Sequence, residues 1–127
     1  LMDLSRHAPR SAFDVSVGGI ACLARMIDKF RAQNCNCMGE YWCGEDSGFD
    51  RAVLEFFAVS QQEFAAAVAD DGTDEGVVAW LGDRLSSKNE EERAAFCVRH
   101  LRQRCSVVRS AAITDRQQYY RESAAWV

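Results

Sequence analysis

A chain of 127 residues, 48% hydrophobic and 27% charged, has the length of one domain. At this size about two-thirds of the unfolded surface is buried, so a real core is expected. A formal charge of −4 argues against a general nucleic-acid binder, which needs a basic face.

No apolar run approaches the ~20 residues of a membrane span. The start, Leu1 to Ala8, is polar and charged and holds no signal-peptide core. A cytoplasmic protein is therefore expected, with neither membrane nor nucleic acid as partner. The six cysteines read as reduced thiols, since the chain is large enough to fold without staples. Cys22, Cys97 and Cys105 sit on apolar helical faces, where cysteine behaves as a small hydrophobe.

Residues 1–16 read as an extended arm containing Pro9, the first part of a single domain spanning 1–127. Gly18-Gly19 then opens a helix in which Ile20, Leu23, Ala24, Ile27 and Phe30 recur at helical spacing. Cys22 and Met26 widen its stripe and predict substantial burial. From Asn34 to Gly48 the pattern breaks into Asn, Gly and Cys, with a short extended piece around Glu40–Cys43. Ser47 precedes a short helix over Phe49–Phe57.

Later helix starts are well marked. Ser60-Gln61-Gln62-Glu63 is a capping box, with Val59 placed to staple Phe64. Thr73 caps the next helix, whose Asp74 and Glu75 complement its dipole. Ser87-Lys88-Asn89-Glu90 reads as another capping box. It opens the longest helix, with Ala94, Cys97, Val98, Leu101, Cys105 and Val108 as its stripe. Glutamates 90–92 lie at its start and Arg102, Arg104 and Arg109 near its end, as the dipole prefers. A last helix begins at Thr114. The fold expected is an all-α bundle of about six helices.

Candidate chemistry gathers between residues 24 and 57. Arg25, Asp28 and Lys29 fall within one helical turn. Their plainest reading is a solvated surface pair, of small energetic weight. The sharper reading is a partly buried charge cluster facing the Glu40 loop. Cys35, Cys37 and Cys43 are close in sequence. A structural zinc needs four ligands, and the C-x-C then C-x5-C spacing is not that of paired zinc knuckles. Glu40, His7 or His100 would have to complete the set. No metal and no cofactor are expected, and these thiols read as packed loop cysteines. No nucleophile elbow, P-loop, dinucleotide fingerprint or H-E-x-x-H is present. The arginines of the long helix read as a solvated face.

Ser11, then Gly18-Gly19, Leu23-Ala24-Arg25-Met26-Ile27-Asp28-Lys29, Arg31-Ala32, Gly39-Glu40-Tyr41, Phe49-Asp50, Leu54-Glu55-Phe56-Phe57 and the Phe64-centred helix follow in an order that resembles a bacterial family, domain of unknown function 5069. The resemblance covers roughly Leu4 to Trp80. It implies a small, mostly helical bacterial protein and no particular activity. It marks Arg25, Asp28, Lys29, Glu40 and Tyr41 as matching motif positions.

Two functions are expected to compete. The first is a non-enzymatic binding module, self-associating, with a dimer favoured. Tyr119, Tyr120 and Trp126 are its interface candidates, because Tyr and Trp are enriched at interfaces. The second is a small enzyme or small-molecule binder. Its cleft would join Arg25, Asp28 and Lys29 to Glu40, Tyr41 and Trp42.

Overall fold

Three short helices pack against one buried helix. The computed structural model describes the backbone of residues 2–110 and the side chains of residues 2–101. The helices are α1 (Leu23–Asn34), α2 (Gly48–Phe57), α3 (Gln61–Asp70), α4 (Asp74–Leu81), α5 (Asp83–Ser86) and α6 (Glu90–Ser110). A single 3-10 turn, Gly44–Asp46, precedes α2. Among the described residues there is no strand. The expected all-α fold is what forms. The expected helix from Thr114 lies outside the described residues.

α1 is the axis, packing against α2, α3 and α4. Every residue from Leu23 to Phe30 is buried, charged ones included. It starts three residues later than the apolar pattern suggests, for a tertiary reason. The Cys22 amide donates to Ala12 O (2.9 Å) and the Ala21 amide to Cys97 Sγ (3.3 Å). Those bonds hold residues 21 and 22 in a turn.

The first sixteen residues are more than an arm. They turn at 4–6 and bury Leu4, Pro9 and Ala12. Leu4 N donates to Cys37 O at 2.7 Å, docking this segment on the loop after α1. Gly39 makes the approach possible: a Cβ there would stand 2.6 Å from Leu4 O.

Local capping works as the sequence predicts in α2, α3 and α4. Ser47 Oγ accepts from Asp50 N, and Thr73 Oγ1 accepts from Gly76 N. Ser60 and Glu63 form the reciprocal capping box. Phe64, fully buried in α3, meets Phe30 of α1 edge-on at 4.9 Å and Trp80 of α4 at 5.9 Å.

α6 differs from its expected form in cap and rotation. Its cap is Asn89, whose Oδ1 accepts from Glu92 N (2.8 Å) while Glu92 Oε1 accepts from Asn89 N (3.1 Å). Ser87 instead closes α5, the short helix that the sequence pattern does not reveal. The buried side chain is Phe96, which stacks on Phe56 of α2 at 4.8 Å. Cys97 and Leu101 are half-buried, whereas Ala94 is exposed and Val98 is 53% exposed. Burying a phenyl ring removes far more apolar area from water than burying alanine and valine tips, so Phe96 sets the helix's rotation.

Candidate functional site

The three motif charges of α1 are inside the protein: Arg25, Asp28 and Lys29 are 0%, 2% and 0% exposed. The surface-pair reading is thereby corrected. One α-helical turn points all three inward, and each meets a partner from another part of the chain. A buried charge survives only when paired and hydrogen-bonded.

Asp28 is held by Arg10, which the sequence does not single out. Arg10 donates to it from its backbone N (2.8 Å), Nε (3.1 Å) and Nη2 (3.1 Å). The same guanidinium forks onto Asp74 at the start of α4, with both contacts at 2.8 Å. Arg31 closes the set, donating to Asp28 Oδ1 at 3.3 Å and to Asp74 Oδ1 at 3.1 Å. Its Nε also donates to Gly72 O. Two arginines and two aspartates thus alternate in a neutral network joining the N-terminal segment, α1 and α4. The hydrogen bond and charge of Asp74 hold the Arg10 pKa above its ordinary range. Reciprocally, Arg10 holds the Asp74 carboxyl below its ordinary value.

Lys29 points elsewhere. Its Nζ lies 2.9 Å from Asp50 Oδ1, with neither side chain exposed. It also donates to Ser47 Oγ at 3.1 Å. Asp50 Oδ2 accepts from Gly44 N at 2.9 Å. Ser47 therefore caps α2 and accepts from the lysine at once. The backbone turn at Gly44 needs glycine, because φ is +72° and a Cβ there would collide with the Gln61 side chain. Arg25 donates to Arg10 O at 3.0 Å, and its guanidinium lies 5.5 Å from the centre of the Tyr41 ring, a cation–π distance.

Of the expected cleft, the structure brings together Arg25 and Tyr41. It ties Arg25 and Asp28 to one residue, Arg10. Lys29 belongs to a separate pair, Glu40 is on the exposed loop, and Trp42 is 39% exposed. Tyr119, Tyr120 and Trp126 lie outside the described residues. Sequence reasoning missed Arg10, Ser47 and Asp50 as members of these networks. The prior signs for Asp50 were its place in the first turn of an apolar helix and in the Phe49-Asp50 piece of the family resemblance.

The loop cysteines do not converge. Cys35 Sγ contacts Met2 O and Ala32 O, Cys37 Sγ contacts Cys35 O, and Cys43 Sγ contacts Gln33 Oε1. Among the described residues no three His, Cys, Asp or Glu side chains group to hold a metal ion. Burial, with Asp50 nearby, pushes the Cys43 thiol up to about 12. The Cys35 hydrogen bond and loss of solvent push Cys37 up to about 11. Both thiols are poor nucleophiles at neutral pH, since the thiolate is the reactive form.

An open groove of about 600 Å³ lies between α2 and α6. Its floor is aromatic: Phe56 and Phe96, with the His100 ring 4.4 Å from Phe96. Lys88, whose Nζ sits 4.8 Å over Phe56, also lines it, with Arg99, Glu55 and Glu92. Pockets of this size suit small ligands.

The family model for the Domain of unknown function (DUF5069) matches residues 6–125. The chain belongs to that family. No curated protein matches it. Membership extends the likeness beyond Trp80 to include α5 and α6. No helix among the described residues is long and apolar enough to cross a membrane.

Proposed function

We propose that this member of the family is a non-enzymatic interaction module that self-associates, with a two-fold dimer as the simplest closed form. One observation carries the reading: the motif charges are spent on internal pairs. Arg25, Asp28, Lys29 and Asp50 are all 2% exposed or less, and they tie four segments of the chain together. A catalytic acid, base or electrophile must reach a reacting atom. These groups are instead buried against partners within the fold.

Self-association draws on what is left outside. Phe13, Val15, Trp42 and Val98 are each 39–53% exposed, apolar area that a partner would cover. Sedimentation equilibrium of the full chain, up to high micromolar concentration, tests the reading. A concentration-dependent rise to twice the chain mass is expected. A monomer throughout would overturn it.

A second reading, binding of a small molecule, draws its support from the aromatic groove between α2 and α6 rather than from the α1 charges. A thermal-shift screen distinguishes it. A hit that is lost in Phe96→Ala, measured relative to that variant's own midpoint, would favour the groove. A hit that is lost in Arg25→Met would return weight to the cleft beside Tyr41.

A further inference from the structure

We propose that the groove between α2 and α6 binds a small aromatic zwitterion, an α-amino acid with an aromatic side chain. The proposal rests on the small-molecule reading above, names its ligand class, and is independent of self-association. The floor of the groove is a run of three rings from two helices. Phe56 meets Phe96 at 4.8 Å, and Phe96 meets His100 at 4.4 Å. Phe96 is buried, whereas Phe56 and His100 are half-buried and keep ring surface open to solvent. A flat apolar body laid on these rings gains offset or edge contacts. A volume of about 600 Å³ is in the range of small-ligand sites.

The charged lining specifies the rest of the ligand. Lys88, Arg99, Glu55 and Glu92 all line the groove. Among the described residues none of these four is in an ion pair. A ligand of one sign would meet like charge on part of this lining; a zwitterion complements both signs. Lys88 precedes α6 and Glu92 is in its first turn, so both belong to one end of the groove. Glu55 is next to Phe56 in α2, the ring that Lys88 covers. Cation and carboxylate close together suit an ammonium and a carboxylate on one carbon. Glu92 is already engaged, since its Oε1 accepts from Asn89 N. Glu55 is therefore assigned to the ligand's ammonium and Lys88 to its carboxylate. Arg99, seven residues after Glu92, is about 10 Å further along the helix. There, beside His100, its guanidinium suits the face of the ligand's ring.

Isothermal titration calorimetry of the full chain tests this with three probes. They are L-tryptophan, indole-3-propionate, which lacks the ammonium, and tryptamine, which lacks the carboxylate. Tryptophan should bind, and each analogue should bind about tenfold more weakly or worse, because one charge-assisted hydrogen bond goes unmade. Lys88→Met and Glu55→Gln should each weaken tryptophan by on the order of tenfold. Lys88→Met should also erase the preference for tryptophan over tryptamine. Glu55 is exposed and Lys88 half-buried, and Glu92, which caps the helix, is untouched, so the fold should survive; far-UV circular dichroism checks that. Equal binding of all three probes overturns the zwitterion while leaving the groove a ligand site. Tryptophan binding that is unchanged in both variants overturns the placement in this groove. No binding of any probe overturns the proposal; a thermal-shift screen without hits would remove the small-molecule reading as well.

Discussion

Lys29 and Asp50 form an ion pair 2.9 Å long with neither side chain open to solvent. Lys29 is in the middle of α1 and Asp50 in the first turn of α2. The pair is therefore a bolt between two helices. The desolvation of two ions is offset only if both remain and their other hydrogen-bonding positions are met. Ser47 and the Gly44 amide meet them here.

Removing one partner should cost much more than removing both. Lys29→Met leaves a buried carboxylate, which typically costs 3–5 kcal/mol, roughly a third or more of a domain's stability. The double variant Lys29→Met/Asp50→Leu should recover most of that loss. Urea unfolding of the four proteins of the cycle checks it. Additive losses would mean that the two side chains do not act as a pair.

The Arg10–Asp74 contact predicts how stability depends on pH. Arg10 holds the Asp74 carboxyl below its ordinary value of 3.8. The folded state thus binds a proton less readily than the unfolded state. The stabilisation is present above 3.8 and is lost as pH falls through the lower, folded-state value. Both side chains are partly solvated, so Asp74→Asn should cost about 1 kcal/mol at neutral pH. Its unfolding midpoint should converge on that of wild type in strong acid. A gap that stays constant with pH would contradict the electrostatic role.

Much of the fold is legible in the sequence because capping is local. Ser60 with Glu63, Thr73 with Gly76 and Ser47 with Asp50 all act within three residues. The charge networks are not local. Arg10 is 18 positions from Asp28 and 64 from Asp74. Helical periodicity assigns Arg25, Asp28 and Lys29 to a polar face, and only the third dimension shows that this face is inside. In α6 two overlapping cap signals, Ser87 with Glu90 and Asn89 with Glu92, differ by two residues, and two apolar stripes compete. Phe96 decides between them by size, which periodicity does not weigh. The candidate interface aromatics Tyr119, Tyr120 and Trp126 lie outside the described residues.

The thiol of Cys43 should be chemically quiet. Its pKa is pushed up to about 12 by burial and by Asp50, which keeps it protonated at mild alkaline pH. Native alkylation followed by peptide mapping should leave Cys43 unlabelled until denaturant is added, with Cys35 labelled earlier. Early labelling of Cys43 would show that the loop opens readily.

The central claim is a division of labour: buried motif charges hold the fold, and the proposed self-association draws on what is exposed. Sedimentation equilibrium of wild type beside the double variant Lys29→Met/Asp50→Leu tests it most directly. The account predicts a dimer for both, with a wild-type dissociation constant for the folded charge-pair variant. A folded charge-pair variant that no longer associates, beside a dimeric wild type, would contradict it.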